Sequence, residues 1–259
     1  MEYEQVLYSV SITHVAHITL NRPESLNTFN TRMSGELYDA LMAAESDRSV
    51  RVILIEGAGK SFCAGIDVKE LAGKTALEYR EWIERMERPL LAIAKIKKPV
   101  IVQLHGVAAA NGMGLAAAAD LVIAADTARM GLTAIKVGLN CVGPILPVAR
   151  CVGRKKALEL LLFGDLISAT EAERLGLVNR TVPENRLAEE AQQWAETLAS
   201  RSPVAVQLAK SGFYAAEDMA YEQQFTYMNE VFARLCTSED AKEGVQAFFE
   251  KRDPVWQEK

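Results

Sequence analysis

Two glycine-bearing bends hold the residues of this sequence that could do chemistry. In KPVIVQLHGVAAANGMGLAAAADLVIAAD, residues 98–126, a β-branched apolar run through Leu104 is broken at His105-Gly106. Small residues follow at Ala108, Ala109 and Ala110, and Asn111-Gly112-Met113-Gly114 opens an alanine-rich helix. The first N–H groups of a helix lack intrahelical partners and carry partial positive charge, which suits an oxygen that becomes negative. The N–H of Asn111 is the candidate donor. In the other bend, Phe62-Cys63-Ala64-Gly65-Ile66-Asp67, Gly65 permits an unusual turn, and the N–H of Ile66 becomes a second donor aimed into a cleft. Two such groups converging on one point form an oxyanion hole, where loss of one donor typically costs roughly 3–4 kcal/mol of transition-state stabilisation. Taken singly, either bend also reads as a tight turn without a ligand.

The elements that must position these bends follow from periodicity. Two strand-like runs, VLYSVSI and VAHITL, meet near Thr13-His14. A helix is expected over residues 31–47, with Met33, Leu37, Leu41 and Met42 at near-helical spacing. Residues 50–56, 99–104 and 121–125 are apolar runs of the buried-strand kind. A long amphipathic helix is expected over residues 75–95, ending before Pro99. Residues 128–149 are weakly patterned, a loop and a short helix. RKKALELLLFG is a helix ended by Gly164, Ser168 and Glu171 form a cap pattern, and residues 177–182 are a last strand. Everything from Glu184 onward reads as helices. The strand–loop–helix units at residues 50–95 and 99–126 repeat one plan, so the expected fold class is α/β.

Composition narrows the function classes. With 49% apolar residues in 259, the chain can bury a large core. A net charge of −5 argues against nucleic acid as a main partner, since phosphate binding needs clustered Lys and Arg. No run stays apolar for the ~20 residues of a membrane span, so no membrane partner is expected. The opening MEYEQVLYSV lacks a signal-peptide pattern. Cys63, Cys141, Cys151 and Cys236 have no metal-like spacing and read as reduced thiols of a cytoplasmic protein.

Four stretches, NRPESLNTFN, FCAGIDVKEL, the 98–126 segment and LFGDLISATEAERLGLVNRTVP, stand in an order and spacing that resemble the crotonase superfamily, the enoyl-CoA hydratase/isomerase family. The resemblance runs from about Val6 to Arg252. It implies a crotonase (ClpP-like) spiral of ββα units over residues 1–195 and a helical trimerisation region over 196–259, with trimers often paired into hexamers. It implies an acyl-CoA substrate whose thioester carbonyl is polarised by the N–H groups of Ile66 and Asn111. No separate cofactor is implied, because coenzyme A is part of the substrate. By the same mapping Ser25, Leu26, Ala64, Asp67 and Lys69 lie along the CoA moiety, and Lys251 reaches the CoA of a neighbouring subunit.

The sequence departs from that pattern where protons must move. Hydratases of the family place one glutamate on the helix after the oxyanion loop and another after the next strand, and these position water and transfer protons. Here the two positions fall on Gly114 and Ala134, and MGLTAIKVGLNCVGP contains no Asp or Glu. The family's three-glycine run reads Ala110-Asn111-Gly112. The acyl pocket is expected around Gly114, Ala134, Asn140 and Cys141, with room left at 114 and 134. Cys141 is the nucleophile of this stretch, and would need a lowered pKa and a partner base. Glu70, Glu78, Glu81, Glu84 and Tyr79 stand open as a displaced acid or base. The resulting expectation is an acyl-CoA-processing enzyme of the hydratase/isomerase type. The alternatives are thioester hydrolysis, decarboxylation or another crotonase-type reaction, or a CoA-binding relative without turnover.

Overall fold

The chain opens with an antiparallel hairpin, β1 (Val6–Val10) and β2 (Val15–Leu20), and every later neighbour in the main sheet is parallel. The computed structural model describes residues 3–259. After α1 (Thr31–Ser46) come β3 (Val52–Gly57) and α2 (Ala76–Lys95). Then follow β4 (Val100–Leu104), β5 (Val107–Ala109), α3 (Asn111–Ala118), β6 (Leu121–Ala125) and β7 (Arg129–Gly131). α4 (Ile145–Phe163), β8 (Ile167–Ser168), α5 (Ala169–Arg174) and β9 (Arg180–Val182) complete the sheets. The main sheet has the order β1-β2-β3-β4-β6-β9, and a small second sheet has the order β5-β7-β8. From β4 to β7 successive strands alternate between the two sheets, as the turns of a spiral do. The apolar runs of β3, β4 and β6 are buried almost throughout, as parallel strands covered on both faces must be.

Helix boundaries follow local chemistry. The Asn30 side chain caps α1 by accepting from the Met33 N–H, and Thr75 with Glu78 forms a capping box on α2. Inside α2, Pro89 has no N–H to give to the Arg85 carbonyl. The buried Ser34 hydroxyl of α1 donates to that carbonyl instead, at 2.7 Å. The weakly patterned stretch resolves differently from expectation. It contains β7, and α4 begins at Ile145 rather than near Arg154, passing through a break at Gly153 (φ +75°). β5 and β7 have three residues each, too few to show alternation in sequence.

α6 (Leu187–Ala199) lies across β3, β4 and β6, burying Ala191, Ala195 and Ala199. It continues past residue 195, where the sequence suggests that the spiral core ends. α7 (Pro203–Ala216), α8 (Tyr221–Cys236) and α9 (Glu239–Glu250) follow, and α7 is pinned to the body by a buried polar knot. Lys210 pairs with Asp120 at 2.7 Å and donates to the Lys98 carbonyl, while Tyr214 donates to Asp120 at 2.9 Å. Asp120 also accepts from the Val100 N–H at 2.6 Å, so one carboxylate ties α7 to the start of β4. Burial pushes the Lys210 pKa down, against the pull of Asp120. Replacing Asp120 by Ala leaves a buried ammonium without its counter-ion and is expected to cost about 3 kcal/mol. Ser34→Ala, which orphans one carbonyl, is expected to cost about 1–2 kcal/mol. Urea unfolding midpoints of the two variants test this ranking.

Candidate active site

Three short strips lie edge to edge. The middle one, residues 63–67, takes hydrogen bonds from both sides. On one edge the Ala64 N–H donates to the Leu26 carbonyl (3.0 Å), the Phe29 N–H to Gly65 (2.7 Å) and the Asp67 N–H to Phe29 (2.6 Å). On the other, the Cys63 N–H donates to Val107 (3.1 Å) and the Ala109 N–H to Cys63 (2.9 Å). The outer strip at residues 22–29 is shaped by Leu26 and Asn27, both in the left-handed region at φ +52° and +54°. The buried Asn27 amide secures it, donating to the Ala58 and Ser61 carbonyls and accepting from the Arg22 N–H, all at 2.8 Å. Three of the four sequence stretches singled out above thus meet at one place.

Two glycines permit this approach. A Cβ on Gly112 would sit 2.1 Å from the Cys63 carbonyl oxygen, and Gly65 has φ +107° with Ala110 packed against it. Ala110 takes φ +47°, ψ −113°, a conformation that glycine adopts more easily, and its N–H is held by Gly131 at 2.8 Å. It supplies no side-chain cap to α3, whose first closing bond runs from Gly114 to Ala110. The N–H groups of Asn111, Gly112 and Met113 therefore have no partner among the described residues, and neither does that of Ile66. Asn111 is 4% exposed, and its side-chain amide nitrogen also lacks a partner among the described residues.

The acyl side differs from expectation at residue 114. No room is left there: a Cβ on Gly114 would lie 2.7 Å from Pro144 Cβ and 3.0 Å from Leu90 Cδ2. The loop before α4 has closed into the space. Cys141, in that loop, is buried, and burial pushes its thiol pKa up despite a hydrogen bond with the Ala134 backbone. It is a buried lining group that sits next to Ala134. Asn140 is exposed. Lys136 forms a surface pair with Asp165 at 2.9 Å, and His105 Nε2 lies 3.0 Å from the Gly59 carbonyl, bracing its turn.

Most acids and bases considered for this region are already engaged. Glu70 receives the Thr31 N–H and hydroxyl and the Trp82 indole N–H. Burial pushes its pKa up, but those donors together hold it below the ordinary range. Glu78 caps α2, Glu84 pairs with Arg80, and the Tyr79 hydroxyl donates to the Leu71 carbonyl. Glu81 is exposed. Asp67 uses one oxygen on Arg22 (3.1 Å) and the other on the Lys69 N–H (3.2 Å), so its carboxylate secures the loop. Ser25 is half-buried and Leu26 is exposed on the rim beside Ala64. Lys69 is exposed, as is Lys251, which ends α9 in a left-handed cap at φ +55°.

One carboxylate escaped the sequence reading. Glu87 on α2 is half-buried, has no hydrogen-bond or ion-pair partner among the described residues, and lies against Gly143. A Cβ on Gly143 would overlap its carboxyl oxygen at 1.8 Å. Burial pushes the Glu87 pKa up, and the negative charge of Glu84 adds to that. The available signal was its position three residues before the buried Leu90, on the same face of α2.

Comparison with known proteins agrees with this architecture. The profile of the family described as "Enoyl-CoA hydratase/isomerase" matches residues 12–259. The (E)-benzylidenesuccinyl-CoA hydratase of Thauera aromatica is 38% identical over 248 residues, covering 94% of this chain and 95% of that protein. A mevalonyl-coenzyme A hydratase of Beauveria bassiana is 35% identical, covering 95% of this chain and 92% of that one. The crystal structure of an enoyl-CoA hydratase from Mycobacterium smegmatis superposes with a TM-score of 0.95 at 35% identity, over 98% of this chain and 99% of the other. The chain belongs to the enoyl-CoA hydratase/isomerase family and has the crotonase fold. It is an acyl-CoA enzyme by family.

The close approach of Gly112 makes a direct prediction. Gly112→Ala forces the start of α3 away from Cys63, and a displacement of about 1 Å typically costs roughly 100-fold in rate. A loss of that size in kcat/KM on an enoyl-CoA, with circular dichroism unchanged, is the expected result.

Proposed function

We propose that this enzyme adds water to the double bond of an enoyl-CoA thioester, holding the enolate oxygen between the N–H groups of Ile66 and Asn111. The observation that carries this is the pair of unpartnered N–H groups on strips 63–67 and 107–111, which Cys63 holds edge to edge. Consecutive amides of an extended chain point to opposite edges. The Asp67 N–H is committed to Phe29, so the Ile66 N–H faces the side on which α3 begins. A thioester oxygen there would meet two fixed dipoles and the positive end of a helix, with no reorganisation needed as charge develops.

Hydration is favoured over hydrolysis because Cys141 is buried, burial pushes its thiol pKa up, and its hydrogen bond runs to the Ala134 backbone. The names of the relatives point the same way: they are hydratases of CoA thioesters with quite different acyl groups. The rim formed by Ser25, Leu26 and Ala64 and the exposed ammonium of Lys69 suit the CoA handle, and no separate cofactor is invoked. Among the described residues no helix is long and apolar enough to cross a membrane, and a cytoplasmic location remains part of the proposal.

Self-association belongs to the same reading. Phe213, Tyr221, Phe225, Phe232, Phe248 and Phe249 on α7–α9 are each more than half exposed. Aromatic surface of this extent calls for a cover, and further copies of the chain, three or six together, would supply it and carry Lys251 to a neighbour's CoA. Light scattering is expected to report three or six chains, and a monomer at micromolar concentration would exclude this.

Replacing the Ala110–Asn111 amide by an ester, through the α-hydroxy analogue of asparagine at 111, tests the oxyanion assignment. The ester keeps the side chain and removes one N–H. Loss of that donor is expected to lower kcat by roughly 100- to 1,000-fold, while affinity for free CoA measured by calorimetry stays within twofold. Unchanged turnover of crotonyl-CoA and longer enoyl-CoA thioesters would refute the assignment.

A further inference from the structure

We infer that Glu87 is the acid–base residue of this site, reaching it from α2 through the gap that Gly143 leaves open. The inference rests on the acyl-thioester reading above and supplies what that reading lacks, a group that can move a proton.

The argument is geometric. Gly143 has no side chain, and the Glu87 carboxyl group occupies the space where one would be, with Oε1 1.8 Å and Cδ 2.2 Å from an ideal Cβ. The next residue, Pro144, packs on Gly114 in the first turn of α3, three residues after the candidate donor Asn111. Leu90, one helical turn along α2 from Glu87, touches the same point on Gly114. The carboxylate therefore stands beside the loop that has closed over position 114. Cys141 and Ala134, two of the other expected lining residues, are joined by a hydrogen bond in the same closure.

Elimination supports the choice. Asp67, Glu70, Glu78 and Glu84 each have partners named above, whereas Glu87 has none and remains half exposed to solvent. A carboxylate is costly to leave half-buried and unpartnered, and such groups cluster where they are used. The ordering of α2 that places it also costs something. Pro89 interrupts the helix two residues later, and Ser34 repairs the break. Burial and the facing charge of Glu84 raise the affinity of Glu87 for a proton, and Gly143 and Pro144 bring no charge of their own.

The step balances with one carboxylate. Glu87 takes a proton from water as the water oxygen bonds to the β-carbon. The π electrons move onto the thioester oxygen, held by two N–H groups. Glu87 then returns its proton to the α-carbon as the enolate collapses. The net change is addition of H and OH across the double bond, and Glu87 ends ionised as it began.

The test compares wild type, Glu87→Gln, Gly143→Ala and the exposed control Glu81→Gln. Butyryl-CoA binding is measured by calorimetry, and hydration by loss of enoyl absorbance on crotonyl-CoA and cinnamoyl-CoA. Exchange of the butyryl-CoA α-proton in D2O is followed by NMR. Glu87→Gln is expected to bind butyryl-CoA within twofold of wild type while hydration and exchange fall at least ~100-fold. Gly143→Ala, which displaces the carboxylate, is expected to show the same split, and Glu81→Gln none of it. Wild-type rates in Glu87→Gln, or loss of butyryl-CoA binding along with the rates, would overturn the role of Glu87 alone. A wild-type protein that binds no CoA thioester would overturn the underlying reading, and with it this one.

Discussion

Backbone pairing along residues 63–67 is the interaction on which the site depends. This strip is too short to be a conventional strand, yet it exchanges hydrogen bonds with Leu26 and Phe29 on one edge and with Val107 and Ala109 on the other. Those bonds engage the N–H groups of Cys63, Ala64 and Asp67 and the carbonyls of Cys63 and Gly65, and they leave the Ile66 N–H unpaired among the described residues. A buried N–H without a partner costs free energy, so the two orphan donors of Ile66 and Asn111 are sustained by everything paired around them. The approach distance set by Gly112 and the turn at Gly65 make the pairing sterically feasible. Ala110 accepts backbone strain to complete it, and strain of this sort persists only where the surroundings over-determine it.

Charge is distributed by the same logic. Nearly every carboxylate around the three strips is consumed in holding a loop or a helix end. Asp67 secures the central bend, Glu70 joins α1 to α2 through Thr31 and Trp82, and Asp120 anchors α7 at the foot of β4. Against that background the unpaired Glu87 stands out, because burial without a partner is the arrangement that proteins otherwise avoid. Two cavities elsewhere, along Glu45, Arg51, Lys98 and the C-terminal residues and beside Leu208 and Arg234, share no residue with the strips.

Much of this was legible from residue types. The apolar runs gave β3, β4 and β6, apolar periodicity placed the starts of α1 and α2 to within a residue, and the cap pattern at Ser168 did the same for α5. The bends at Gly65 and Asn111 were visible because glycine and a helix start have local causes. The loop at residues 133–144 was not legible, because its course depends on Pro144 meeting Gly114 and Leu90, residues far away in the chain. Room at position 114 was expected on the ground that glycine is small. The neighbours instead moved into the volume, as close packing demands.

The sequence by itself determined the α/β plan, the two bends and the absence of any carboxylate at 114 and 134. These are properties of periodicity, conformational freedom and residue identity, and they act over a few residues. Only the tertiary structure decided which N–H groups stay unpaired, which acids are spent on structure, and that Glu87 on α2 comes to rest against Gly143. Those outcomes turn on contacts between elements far apart in the chain, such as Ser34 with Arg85 and Glu87 with Gly143. A pattern in one dimension carries no information about distance across a fold, and hydrogen bonding and packing are functions of distance.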